Sequence, residues 1–251
     1  MDDVTLAAEL VREAGELASR MLAKGLATEY KTSVSDVVSA ADHAAEELVV
    51  TRLAESRPSD GLVGEEGARR PGKGRTWYVD PVDGTYNFLS RIPYWCSAIG
   101  LADVDGPLVG AVYAPALDEL WVGGRDTRTT LNGVAAAELS DRPLAEVSVA
   151  TYFHPRHMSD HSRLSSWQSA TAAAGTVRML GSASVDLAGV ASGRLGILLQ
   201  ANLNPWDWVP GAALVLGAGG VAEEVTVGGT RWQIAGNRRA VTDASKALRS
   251  S

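Results

Sequence analysis

Residues 77–88, WYVDPVDGTYNF, set an apolar run against two acids three positions apart, a proline and a glycine. WYV reads as a strand, Pro81 interrupts it, Gly84 permits a tight turn, and a helix starts near Thr85. Such strand-to-helix junctions form the edge of layered αβ folds on which reacting groups are carried. Pro81 fixes its own φ and holds Asp80 extended, so Asp80 and Asp83 turn toward one point with the Val82 carbonyl beside them. The free N–H groups at the start of the helix face the same space, which suits a phosphate.

Working outward, two more acidic stretches end in the same manner. Glu65 and Glu66 follow the strand GLVG, and Asp207 follows NLNPW. Brought into one cleft, these carboxylates repel one another and their pKa values rise unless cations lie between them. With no histidine or cysteine among them, the donor set suits a hard divalent ion, Mg2+ above all. Metal ions beside a helix N-terminus fit a phosphate ester held for attack by water.

Other phosphatase chemistries fail on spacing. A cysteine phosphatase needs an arginine six residues after its nucleophile, where Cys96 has Ala102; a phospho-aspartate enzyme needs D-x-D, where this chain has D-x-x-D. His154, His157 and His161 lack a nearby acid motif and read as exposed polar residues of a loop. DVDG at 103–106 lacks the remaining ligands of a calcium-binding loop and reads as a turn.

Composition narrows the partners. The 251 residues are 45% hydrophobic and 21% charged with a net charge of −7, an ordinary globular balance that disfavours nucleic acid and anionic membrane as partners. The basic residues Arg69, Arg70, Lys73 and Arg75 are interleaved with glycine and proline, as in a solvated loop. A lone cysteine cannot form an internal disulfide, which fits the reducing cytoplasm. MDDVTLAAELV has no secretory pattern, and the run GAALVLGAGGVA is too short to span a bilayer.

Helical periodicity covers about 3–24 and 39–56, with the polar stretch ATEYKTSVSDVVSAAD at 27–42 between them as a mobile loop or hairpin. Strands follow at GLVGEE, TWYVDP, WCSAIGLADV, PLVGAVYAP and ELWVGG. From 147 the rhythm changes to strand alternating with helix, with helices near 159–174, 182–192, 207–217 and 240–250. The expectation is an antiparallel α+β half over 1–145, carrying the first acids, and an α/β half over 146–251, carrying Asp207.

GEE at 64–66, DPVDGTYNF at 80–88 and PWDWVPGAALVLGAGG at 205–220 together resemble the inositol monophosphatase family of the Mg2+-dependent, lithium-sensitive phosphatases. The resemblance runs through most of the chain and implies a layered αβαβα sandwich, a homodimer and two to three Mg2+ ions per site. It implies that Glu65, Asp80 and the Val82 carbonyl hold a first ion, that Asp80, Asp83 and Asp207 hold a second, and that Glu65 faces a third. Thr85 with Glu65 would orient and deprotonate water, the Gly84 and Thr85 amides would hold phosphate, and Lys31, Asp36 and Asp42 would belong to a mobile loop. Ser182 and Ala183 would touch substrate hydroxyls. The implied activity is hydrolysis of a small phosphorylated alcohol such as myo-inositol 1-phosphate. Histidinol phosphate is the nearest alternative, fructose and adenosine bisphosphates are further ones, and a silent binding protein on the same scaffold is a reading from another class. Four positions depart from the family pattern: Gln200 replaces a glutamate that bonds a ring hydroxyl, Val209 and Pro210 replace small residues, and Gly217 replaces an acid.

Overall fold

The structure, a computed structural model, describes residues 1–24, 28–30 and 37–250. In chain order the elements are α1 (Asp3–Lys24), β1 (Thr28–Tyr30), β2 (Val37–Ser39), α2 (Ala40–Ser56), β3 (Gly61–Gly64), β4 (Arg69–Arg70), β5 (Thr76–Asp83) and α3 (Thr85–Leu89). Then come β6 (Cys96–Asp103), β7 (Gly106–Ala114), β8 (Glu119–Gly124), β9 (Thr127–Leu131), β10 (Val134–Ala135), β11 (Ser148–Ala150), α4 (His161–Ala172) and β12 (Thr176–Arg178). The chain continues through α5 (Ala183–Ala191), β13 (Ile197–Ala201), α6 (Pro205–Gly217), β14 (Val221–Val227), β15 (Thr230–Gly236) and α7 (Arg238–Arg249).

The first helices form as their spacing demands. Leu6, Leu10, Val11, Ala14 and Ala18 make one buried stripe on α1, and Ala41, Ala45, Val49 and Leu53 make its counterpart on α2. Asp2 caps α1 by accepting from the Thr5 N–H at 2.7 Å. Arg52 then ties the pair together, donating to both oxygens of Glu13 at 2.8 Å. Between them β1 and β2 form an antiparallel pair, the hairpin option of the two expected for 27–42. Among the described residues no helix is long and apolar enough to cross a membrane.

Eight strands form one sheet in the order β10-β9-β8-β7-β6-β5-β3-β4, antiparallel except where β3 runs parallel to β5. The hairpin of β9 and β10 turns through Asn132 and Gly133, both at positive φ, and the Asn-Gly pair marks it in the sequence although the stretch reads poorly as strand. Five strands form the second sheet, β12-β11-β13-β15-β14. It is mixed: β11 is parallel to its neighbours, and β13, β15 and β14 are antiparallel. The alternation after 147 suggests a more uniformly parallel sheet, but β14 and β15 follow one another without a helix between them and therefore pair as a hairpin.

Helices α5 and α6 lie between the two sheets, α1 and α2 cover the outer face of the first, and α4 and α7 cover the second. This is the expected αβαβα order. One apolar core runs through the middle layer, joining Ala98 and Val112 of the first sheet to Leu187 and Leu214 of the central helices and Leu198 of the second sheet. Residue 146 ends a short 3₁₀ turn, Leu144–Glu146, that links the two sheets.

Pro210 and Gly217 have packing reasons in this layer. Gly100 and Gly110, paired across β6 and β7, lie directly under Pro210, and a Cβ on Gly110 would collide with the Pro210 carbonyl. The proline bulk thus occupies space that glycines vacate on the facing strands. A Gly110→Ala variant is expected to lose about 1–3 kcal/mol through this clash and to melt several degrees lower in calorimetry. At Gly217 a side chain would meet the Thr127 and Gly124 carbonyls and the Thr129 hydroxyl, which donates to Leu214 O at 2.6 Å, so an acid has no room there.

Candidate active site

Asp80 and Asp83 sit on one strand three positions apart, which in regular pleating would send them to opposite faces. The pairing with β6 explains how they meet: Asp80 faces Ala98 and Asp83 faces Cys96, so the chain spends three steps on β5 against two on β6. The extra residue is a β-bulge at Pro81–Val82, and it returns Asp83 to the side of Asp80. The bulge, more than the fixed φ of Pro81 that the sequence suggests, makes the two acids converge. Ser97 fixes it by donating its hydroxyl to the Pro81 carbonyl.

Gly84 follows at φ 95°, a conformation that favours glycine, and a Cβ there would lie 3.2 Å from the Gly181 and Tyr94 carbonyls and from Ser182 Cβ. The close approach brings the N-terminus of α5 against the strand. Ser182 caps α5, and the Ser184 N–H donates to Asp83 Oδ2. Asn87 closes the same junction, donating from Nδ2 to the Tyr94 and Leu180 carbonyls at 2.8 Å each. Thr85 donates its hydroxyl to the Val82 carbonyl at 3.0 Å, which leaves the lone pairs of Oγ1 to accept from elsewhere.

The fourth acid comes from the middle layer. Asp207 stands in the first turn of α6, where its Oδ2 accepts from both the backbone N–H and the Nδ2 of Asn204 at 3.1 Å. One oxygen each of Asp80, Asp83 and Asp207 lies within 4.8 Å of the other two, a grouping that could hold a metal ion. Asp80 is 1% exposed, and its Oδ1 has no hydrogen-bond partner among the described residues. A buried carboxylate oxygen left this way is costly, and a cation offsets the cost.

Burial is the first cause that raises these acids above the usual carboxylate range. Asp80 is pushed well up by loss of water and then by the charges of Glu65, Asp83 and Asp207. Glu65 lies open to solvent by surface area, yet enough protein surrounds its carboxyl that loss of water still leads, with the charge of Asp207 next. Asp207 is raised to about 7, by burial and then by Asp83. Asp83 is raised less, because donors from Ser184, Ser182 and Ala183 offset part of its burial. Glu65 and Asp80 repel when both are ionised, so the two carboxyls titrate as a coupled pair, both above the usual range.

Glu65 is carried by the turn after β3, and Glu46 of α2 holds that turn, accepting from the Glu66 and Ala68 N–H groups at 2.9 and 3.0 Å. Asp42 is buried on the same helix and its charge reaches Glu65. Lys31 and Asp36 lie outside the described residues. Gly84, Thr85, Ser182, Ala183 and Gln200 line one cavity of about 740 Å3 together with Asp83 and Asp207.

Three residues on this cavity escape the sequence reading. Asp186 is buried, accepts from the Tyr94 hydroxyl at 2.7 Å, and is raised by burial to about 7. As an acid in the first turn of a helix it reads as a dipole partner and nothing more. His154 is half-buried and lines the cavity, which corrects its reading as an exposed loop residue; its ring packs edge-to-face on Tyr152, the third. The motif-free histidine cluster conceals that placement.

The model of the inositol monophosphatase family matches residues 1–249. Inositol monophosphatase 2 of Solanum lycopersicum is 33% identical over 96% of this chain and 93% of its own length. The Nus factor SuhB of Xylella fastidiosa is 32% identical, over 86% of this chain and 80% of its own. The crystal structure of the extragenic suppressor protein suhB from Bartonella henselae superposes with a TM-score of 0.87 at 28% identity, covering 98% of both chains. A family match over nearly every residue and a shared layer order around one acid-lined cavity lead to one conclusion: the chain belongs to the inositol monophosphatase family and is a phosphoric monoester hydrolase.

Proposed function

We propose that this chain is a Mg2+-dependent phosphomonoesterase for small phosphorylated alcohols, with myo-inositol 1-phosphate as its leading substrate. The observation that carries the reading is the convergence of Glu65, Asp80, Asp83 and Asp207, with every one of the four raised above the usual range and Asp80 Oδ1 left without a partner. All-oxygen donors of this charge suit Mg2+. The tomato relative's name supports the inositol ester.

In this reading Glu65, Asp80 and the Val82 carbonyl hold one ion, Asp80, Asp83 and Asp207 hold a second, and Glu65 faces a third. When bound, the ions supply Lewis-acid chemistry: they polarise the phosphoryl group, lower the pKa of water and steady the leaving alkoxide. Thr85, whose proton is committed to Val82, accepts a hydrogen bond from the attacking water and orients it, and Glu65 takes the water proton. The Gly84 and Thr85 amides hold the phosphate oxygens. Ser182, Ala183 and Gln200 meet the alcohol, and Gln200 does so as a neutral donor and acceptor. The resemblance adds that Lys31, Asp36 and Asp42 would form the loop segment and its contacts with water and metal. The resemblance adds a homodimer.

Gln200 in place of the family's glutamate loosens the demand for a ring hydroxyl, and the second substrate is the nearest alternative that the resemblance offers, histidinol phosphate. A phosphate-release panel separates the two: inositol 1-phosphate, histidinol phosphate, fructose 1,6-bisphosphate and adenosine 3',5'-bisphosphate, each with and without Mg2+. Release is expected only with Mg2+, largest for one of the first two, and lost in Asp80→Asn. Silence toward all four at saturating Mg2+ would favour a binding protein on this scaffold.

A further inference from the structure

Beside the acids Asp83, Asp186 and Asp207, the lining of the cavity includes residues of a different character. At about 740 Å3 the cavity is in the range that holds drug-sized ligands, and it leaves room beyond a phosphate and a six-carbon polyol. Tyr86, Tyr152 and Met179 line it while 55%, 43% and 45% exposed. They arrive from three separate places, namely α3, the loop after β11 and the loop after β12. A single exposed apolar side chain needs no explanation; three from distant stretches meeting at one cavity form a ligand surface.

The rings are set before a ligand arrives. Tyr152 stands edge-to-face with His154 at 5.9 Å and 89°, and His154 packs in turn on His157 at 6.1 Å and 69°. Aromatic edges and a thioether favour a further flat ring, whose face and edge complement theirs. No lysine or arginine lines the cavity among the described residues, so a second phosphate or a carboxylate finds no partner on this wall.

We propose that this wall is a ring subsite: the chain takes phosphate monoesters whose alcohol carries an aromatic ring, which packs against Tyr152 and Met179 while the phosphate lies at the acids. The proposal rests on the phosphatase reading for the reacting group and deepens it by naming the residues that would meet a ring on the alcohol.

The test compares 2-phenylethyl phosphate with ethyl phosphate, two esters with similar leaving alkoxides, in the full chain with Mg2+. The expected result is a KM about tenfold lower for the phenyl ester, as one or two aromatic contacts provide. That ratio is expected to fall to about 2 or less in Tyr152→Ala/Met179→Ala; a general folding defect would move both esters together and leave the ratio intact. A ratio near 1 in the wild type, or one that survives in the double variant, overturns the subsite. Calorimetry with 3-phenylpropylphosphonate and propylphosphonate reads the same preference without turnover. Absence of phosphate release from every ester would therefore end the phosphatase reading alone, and the subsite would stand or fall on whether the phenyl phosphonate binds about tenfold more tightly.

Discussion

Asp83→Asn and Asp207→Asn are each expected to lower phosphate release by about a thousandfold or more, a loss of about 4 kcal/mol in transition-state stabilisation. Asparagine keeps the shape of each side chain and, at Asp207, an oxygen to accept from Asn204, but it removes the charge that a cation at this site needs. At the same time it removes one member of a repelling set whose ionisation burial already disfavours. The two effects therefore split: activity collapses, and the melting temperature in EDTA stays level or rises. Steady-state phosphate release at saturating Mg2+, set beside thermal melts in EDTA, reads both. Turnover close to wild type in either variant would remove these acids from the chemistry.

The second large effect is on stability against pH. Asp207 is raised to about 7 in the folded chain, and Glu65 and Asp80 are raised well above their ordinary values, whereas an unfolded aspartate titrates near about 3.9. The folded state then holds more protons than the unfolded state between about pH 4 and the raised values. Stability consequently falls as pH rises through that window, opposite in sign to a salt-bridged carboxylate. Without metal the chain is expected to melt highest near about pH 5 and progressively lower toward pH 8. The proposed Mg2+ would bind the ionised set, so it is expected to raise the melting temperature most at the alkaline end and to flatten the slope. Asp186, also raised to about 7 but paired with Tyr94, keeps a residual slope when Mg2+ is present. Melting curves from pH 5 to 8.5 with EDTA and with Mg2+ test this, and a metal-free profile that is flat or rises with pH contradicts it.

Much of this was legible in the residues, for identifiable reasons. Periodicity placed α1 and α2 nearly to the residue, because their apolar stripes are long and regular. The acids were legible as a set because each follows an apolar run and precedes a turn, a local pattern that survives folding. The bulge at Pro81–Val82 was not, since it exists only as a mismatch between β5 and a strand that comes after it. The grip of Ser184 on Asp83 spans 101 positions along the chain, and that of Glu46 on the turn of Glu65 spans about 20. Neither leaves a mark in its own neighbourhood. Tyr152 carries no signal and His154 reads as an exposed loop residue for the same reason: exposure toward a cavity and exposure toward bulk water look alike in a string of letters.

The glycine-lined bed beneath Pro210 and the apolar core that crosses the middle layer bear on how the molecule comes apart. Helices α5 and α6 serve as floor for one sheet and ceiling for the other, so neither sheet can leave without stripping the lining from its neighbour. A chain built this way has no partial dismantling available to it that spares the acid cluster. Loss of structure and loss of the catalytic constellation are then a single event.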